Sequence, residues 1–155
     1  HFIGHLQKNK VKYLMKIKKL EMIESIDSLA IAREVNAQAK EADRKIKILL
    51  QVNIADDPNK FGFSENNIEE AVKEVLKLSN LNLVGLMTIT PYYDKPESAR
   101  QDYQAMKKLL NTLNQKGYNL KELSMGMSND YHIAVQEGAT IVRVGTAIFG
   151  KRKYY

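Results

Sequence analysis

Residues 46–52 read Ile46-Lys47-Ile48-Leu49-Leu50-Gln51-Val52, an almost continuous apolar run. Strands that are buried on both faces have this composition, and they are typical of parallel sheets covered by helices. The run therefore predicts a strand inside a parallel sheet and an α/β fold for the chain.

Short β-rich runs of this kind alternate with longer stretches of helical spacing along the whole chain. We predict six parallel strands, at residues 2–6, 22–26, 46–52, 83–88, 122–125 and 140–144. Strands and helices alternate in two common architectures, the open doubly wound sheet and the closed eight-stranded barrel. Apolar periodicity alone leaves both open.

Five helices are predicted between these strands, and most of them carry recognisable end signals. The signals are a cap at Ser28, a capping box at Asn67 and Glu70, a proline at Pro96, and helix-ending glycines at Gly117 and Gly138. The first helix carries an apolar face at Val11, Leu14 and Met15.

The length of the chain matches part of a barrel. A complete (β/α)8 barrel takes roughly 250 residues, whereas this chain has 155 and begins with His1-Phe2-Ile3. We expect residues 1–155 to form one partial TIM-type (β/α)8 domain that lacks roughly its first two strand–helix units. Exposed strand edges in such a piece predict self-association.

Composition excludes several classes of site. The chain contains no cysteine, which rules out disulfides, thiolate zinc sites, iron–sulfur clusters and cysteine nucleophiles. Its apolar runs are all shorter than the roughly 18 residues of a membrane-spanning helix, and no signal peptide opens it, so we expect a cytoplasmic protein.

Positive charge is concentrated at the two ends of the chain. Six lysines without an intervening acid lie between Lys8 and Lys19, and Lys151, Arg152 and Lys153 follow near the other end. The rest of the chain carries more acids than bases. A nucleic-acid binder is one reading of this pattern, but no groove-reading motif accompanies it, so a solvated helix face is the simpler interpretation.

Two glycine-containing turns follow the last two predicted strands. The first lies in Leu123-Ser124-Met125-Gly126-Met127-Ser128-Asn129-Asp130, and the second in residues 138–150. Backbone amides at Gly145, with the hydroxyl of Thr146, can surround a phosphate at the start of a short helix. Tight turns with Ser128 as a helix cap explain the same residues equally well.

Arg143 lies inside the apolar run Ile141-Val142-Arg143-Val144. A buried guanidinium needs a partner, because an unpaired buried charge is costly. A structural carboxylate and a ligand acceptor are equally good candidates on this evidence. Asn53 and Met87 lie at strand ends and are further candidates for the lining of a binding site.

Several motifs together resemble the pyridoxal-phosphate homeostasis protein family, which has the alanine racemase barrel. They are His-Phe-Ile-Gly-His-Leu-Gln-Lys-Asn-Lys at 1–10, Leu-Gln-Val-Asn at 50–53, Gly-Leu-Met-Thr-Ile at 85–89, and the stretches at 123–130 and 138–150. The resemblance implies that pyridoxal 5′-phosphate (PLP) binds at the carboxyl-end mouth of the barrel. Gly145 and Thr146 would hold the phosphate with Ser124 or Ser128, and Arg143 would approach the pyridine nitrogen.

The family's Schiff-base lysine lies on the first barrel strand, so the resemblance implies that it belongs to a segment upstream of this sequence. Lys47 is expected to face solvent near the amino-terminal end of its strand. A guanidinium only donates, so a ring nitrogen facing Arg143 stays unprotonated and the ring is a poor electron sink. We therefore expect a PLP carrier or buffer that serves PLP-dependent apo-enzymes; a racemase-like PLP enzyme is the alternative.

Overall fold

The computed structural model describes residues 1–150 of the chain. Its five parallel strands pair in sequence order, without the reversal that marks a doubly wound sheet. The strands are β1 (Met22–Ile26), β2 (Ile46–Gln51), β3 (Leu81–Met87), β4 (Glu122–Met127) and β5 (Ile141–Arg143). This order is that of a barrel segment.

The sheet is strongly curved. In a flat sheet, β1 and β4 would lie about 14 Å apart, since neighbouring strands are roughly 4.8 Å apart. The Ser124 hydroxyl on β4 nevertheless donates to the Glu24 carboxylate on β1 over 2.6 Å. The five strands therefore form a half-barrel, and this bond crosses its interior.

Helices cover the outer face of the half-barrel. They are α1 (Val11–Met15), α2 (Leu29–Glu41), α3 (Ile68–Leu76), α4 (Arg100–Gln115) and α5 (Tyr131–Gln136). A sixth short helix, α6 (Thr146–Phe149), follows β5 and buries none of its residues. The main apolar core lies between these helices and the sheet. A smaller cluster of Met22, Leu49 and Met87 packs separately from it. Among residues 1–150, no helix is both long and apolar enough to cross a bilayer.

The predicted strand at residues 2–6 is wrong, so the sheet has five strands where six were predicted. Phe2 alone forms a parallel bridge with Ile23. The chain then leaves the sheet, because the His5 imidazole stacks on Phe61 with ring centroids 3.8 Å apart and bonds to Asp27 over 3.0 Å. The prediction that two preceding units complete the barrel stays a prediction.

The helix end signals are confirmed at Ser28, Gly117 and Gly138, whereas Pro96 starts a short 3-10 helix (Pro96–Ala99) that leads into α4. Ser28 caps α2 by accepting a hydrogen bond from the Ile31 amide, and the backbone turns left-handed at Gly117 and Gly138, just beyond α4 and α5. The capping box at Asn67 is wrong, because its side chain makes no capping bond. The predicted basic cluster at Lys151, Arg152 and Lys153 lies outside the described residues.

Candidate functional site

The turns that follow β4 and β5 meet at one side-chain oxygen. The Ser128 hydroxyl accepts hydrogen bonds from the Gly145 amide over 3.0 Å and from the Ala147 amide over 3.3 Å. Two backbone donors at the start of α6 therefore converge on a single oxygen. Convergent amides of this kind bind the oxygens of phosphate groups.

The shape of the first turn depends on a glycine. Gly126 has a φ of +92°, a conformation that side chains disfavour. A Cβ built at this position would lie 2.5 Å from the Cβ of Ala134 on α5. The turn is closed by the Asp130 carboxylate, which accepts from the Met127 amide over 2.7 Å. Together these contacts set the shape of the turn in which Ser128 lies next to Gly145.

The second turn is open to solvent. Gly145 and Thr146 are both exposed, and a Cβ built on Gly145 meets no atom within 4 Å. The Cα of Gly145 is therefore unobstructed, while its amide donates to the Ser128 hydroxyl, whose place on this amide a ligand oxygen would take.

We call the Ser128 hydroxyl and the Gly145 and Ala147 amides the cradle. Arg143 precedes Gly145 by two residues and is buried, with 8% of its surface exposed. Its Nη1 donates to the Ser124 hydroxyl over 2.6 Å, and its Nη2 donates to the Thr88 carbonyl over 2.7 Å. Burial lowers the pKa of the guanidinium, and the nearby Glu24 carboxylate opposes that shift. An arginine stays charged under such a balance, so the interior of the half-barrel holds a fixed cation.

Sequence reasoning missed Glu24, which completes this network. Its Oε2 accepts from the Ser124 hydroxyl over 2.6 Å, and its Oε1 lies 2.7 Å from the His1 Nδ1. The available signal was a carboxylate inside the apolar strand Met22-Ile23-Glu24-Ser25-Ile26, the same anomaly that pointed to Arg143. The structural carboxylate considered for Arg143 is thus present, but one hydroxyl separates it from the guanidinium.

Two other predicted site residues make contacts of a different kind. Met87 is fully buried and packs against Met22 and Leu49. The Asn53 amide donates to the Asp57 carbonyl over 2.8 Å and accepts from the Asp57 amide over 3.2 Å, so it closes the loop after β2. The structure thus joins Ser124 with Arg143 in one network and Ser128 with Gly145 in a second, with Thr146 as the next residue of that turn.

Comparison of the chain with known proteins identifies its family. A family model described as the alanine racemase N-terminal domain matches residues 3–153. The pyridoxal phosphate homeostasis protein of Aquifex aeolicus is 44% identical over 156 residues, covering 99% of this chain and 67% of that protein. The chain belongs to the pyridoxal phosphate homeostasis protein family. The resemblance read from the sequence motifs is therefore confirmed.

Other members of the family are similar over the same region. The human pyridoxal phosphate homeostasis protein is 39% identical, covering 99% of this chain and 58% of that protein. The solved structure of PipY of Synechococcus elongatus with PLP bound is 32% identical, covers 95% of this chain and 68% of that chain, and superposes with a TM-score of 0.83. The chain spans 58% to 69% of the length of the curated relatives it matches.

Lys47 faces solvent, as predicted. Its ammonium group pairs with the Glu21 carboxylate at the amino-terminal end of β2. This ion pair raises the pKa of Lys47 and lowers that of Glu21. Lys47 is thus held at the amino-terminal end of β2, whereas Ser128 and Gly145 follow the carboxyl ends of β4 and β5.

Proposed function

We propose that this protein binds PLP where β4 and β5 end and takes part in cytoplasmic PLP homeostasis as a non-catalytic carrier or buffer. The observation that carries the proposal is the convergence of the Gly145 and Ala147 amides on the Ser128 hydroxyl, beside the buried Arg143. The PLP-bound structure of PipY supports the same ligand.

The residues of the cradle fit a phosphate group. The Ser128 hydroxyl accepts in both of its bonds, so its own hydrogen can donate to the phosphate, and the Gly145 amide would turn from the Ser128 oxygen to a phosphate oxygen. The Thr146 hydroxyl would be a further donor. Ser124 fits this role less well, because its single hydroxyl hydrogen is donated to Glu24. Of the two serines considered for the phosphate, we therefore propose Ser128.

Arg143 fits the pyridine nitrogen of the ligand. When bound, PLP supplies an aromatic ring that withdraws electrons from attached groups. A guanidinium donates hydrogen bonds and accepts none, so it favours an unprotonated ring nitrogen and weakens that withdrawal. This chemistry suits storage and delivery of the cofactor to PLP-dependent apo-enzymes. Met87, which pairs with Ser124 in the β3–β4 register, is proposed to border the ring, and Asn53 to line the mouth.

We further propose that residues 1–155 are part of a (β/α)8 barrel, and that a lysine outside this sequence binds the cofactor covalently. The greater length of the relatives supports this arrangement. Self-association through sheet edges belongs to the same proposal.

The structure gives no added support to nucleic-acid binding by the lysines of residues 8–19. Lys8 lies 3.8 Å from Glu34, and the ammonium groups of Lys10, Lys12 and Lys16 lie over the Tyr13 ring, 5.2 to 5.8 Å from its centroid. These contacts are with groups of the chain itself, and an exposed cationic helix face explains them without a nucleic acid.

Titration of the chain with PLP, followed by equilibrium dialysis, tests the proposal. Ser128→Ala and Arg143→Gln should each weaken binding about tenfold or more, which corresponds to the loss of roughly 1.4 kcal/mol. The matched controls are Ser79→Ala and Arg33→Gln, which change side chains far from the cradle. Unchanged affinity in both site variants would contradict the assignment.

A second assay separates the carrier from the racemase-like alternative. A carrier should not racemise or transaminate amino acids at ordinary enzymatic rates, roughly 1 per second or faster. Such a rate in the PLP-loaded protein would support the enzyme instead.

A further inference from the structure

We infer that Glu24 is a positioning residue that holds the Arg143 guanidinium in its binding orientation by acting through the Ser124 hydroxyl. The inference rests on the proposed PLP site and names a residue to which neither the motifs nor the family resemblance pointed. Glu24 lies on β1, Ser124 on β4 and Arg143 on β5.

The direction of each hydrogen bond in the chain is fixed. Arg143 can only donate, so the Ser124 oxygen must accept over their 2.6 Å contact. The single hydroxyl hydrogen of Ser124 then points to the Glu24 Oε2, also at 2.6 Å. Glu24 must therefore accept at this oxygen. The three groups are thus ordered from cation through hydroxyl to anion.

Burial makes this order energetically important. Glu24 is 1% exposed, Ser124 is fully buried and Arg143 is 8% exposed. A cation that is buried without an anion is strongly destabilised, and removal of one partner of a buried pair leaves the other uncompensated. Glu24 supplies the buried negative charge nearest to Arg143 in its network, although the two side chains do not touch directly.

Without this carboxylate, Ser124 would be free to rotate its hydroxyl hydrogen toward another acceptor. The Ser124 oxygen would then no longer be held in place beside Nη1 of Arg143. The guanidinium, now a buried cation without its anion, would gain free energy by moving toward solvent. A guanidinium that moves this way no longer presents its remaining N–H groups to a ligand at the mouth. Glu24 therefore governs ligand affinity without contacting the ligand.

A double-mutant cycle tests the inference in the full chain. Glu24→Leu and Ser124→Ala should each weaken PLP binding about tenfold, and the double variant should be no weaker than the single variants, because both remove one chain of contacts. Glu24→Gln, which still accepts from Ser124, should bind PLP more tightly than Glu24→Leu. Ser25→Ala is the control: its hydroxyl is equally buried on the same strand but donates to the Gly4 carbonyl. It should leave PLP affinity unchanged.

A measurement without PLP separates this inference from the proposed function. Phenylglyoxal modifies accessible arginines, and the Arg143 peptide can be followed by mass spectrometry. Modification of Arg143 should be about fivefold faster or more in Glu24→Leu and Ser124→Ala than in the wild type, and unchanged in Ser25→Ala, because only the first two release the buried guanidinium. If the wild type fails to bind PLP, the proposed function is wrong while this labelling difference still supports Glu24. Additive losses in the cycle, or equal labelling in all variants, would overturn the role of Glu24.

Discussion

Gly126 and Ala134 pack so closely that a Cβ on the glycine would lie 2.5 Å from the Cβ of the alanine. At this contact α5 packs against β4, just before the turn that contains Ser128. The same glycine has a φ of +92°. Two separate physical requirements, space and backbone conformation, therefore fall on this one residue.

A pair of substitutions separates these two requirements. Gly126→Ala should lower the free energy of unfolding by roughly 3 kcal/mol, since it adds a steric clash to the backbone strain of a positive φ. Gly117→Ala isolates the strain, because Gly117 has a φ of +94° and open space around it. Its loss should be about 1 kcal/mol. Urea unfolding measures both, and equal losses would contradict the packing argument.

Arg44 provides a test of guanidinium geometry away from the cradle. Its Nη1 donates to the Met15 and Ile17 carbonyls and its Nη2 donates to the Leu20 carbonyl, over 2.8 to 3.1 Å. Arg44→Lys should lower the free energy of unfolding by about 1 to 2 kcal/mol, because an ammonium group cannot serve this forked set of acceptors. Arg33→Lys, at an exposed side chain of α2, should change it little. A loss confined to Arg33→Lys would refute the role of the fork.

Acid should weaken the protein through Glu69. Contacts with Lys116 and Lys73 lower the pKa of this carboxyl to about 2 from its ordinary value. A lowered folded-state pKa contributes stability that is complete above the unfolded-state value and is lost as pH falls through about 2. The thermal midpoint of Glu69→Gln should thus lie below that of the wild type near neutral pH, and the two should converge in strong acid.

Glu70→Gln is the matched control for that titration. Glu70 is exposed and shares the first turn of α3 with Glu69, so any effect of the helix dipole is common to both variants. High salt should shrink the Glu69 difference, because exposed charges are screened. A difference that persists unchanged below pH 2 would show that the contribution of Glu69 is not electrostatic.

Local sequence patterns sufficed for most of the fold. The continuous apolar run at Ile46–Gln51 is the strand β2, and the alternation of strands and helices gave the other four strands of the sheet. The prediction failed at residues 3–6, where the apolar residues of the segment fit a strand but His5 stacks on Phe61 from a distant loop. Contacts between residues so far apart in sequence leave no local period, so pattern reading overlooks them.

The same limit applied to the site. Ser128, Gly145 and Arg143 could be proposed because each occupies an unusual place in its own segment. The bond between Ser124 and Glu24 joins residues 100 positions apart, and it exists only because the sheet curves until β1 faces β4. A carboxylate within an apolar strand was visible in the sequence, but its partner was not.

A substitution at Arg143 separates the role of its positive charge from the role of its hydrogen-bond geometry. Arg143→Lys keeps the positive charge but cannot donate to Ser124 and Thr88 with two separate, rigidly spaced nitrogens, as the guanidinium does. One of these buried acceptors would lose its donor, so the free energy of unfolding should fall by roughly 2 kcal/mol. PLP affinity should fall about tenfold, because the ammonium group is no longer held toward the ligand. Urea unfolding and PLP titration measure the two effects, with Arg33→Lys as the exposed control. If Arg143→Lys matched the wild type in both measurements, charge alone would account for Arg143, and the forked hydrogen bonds would have no part in positioning it.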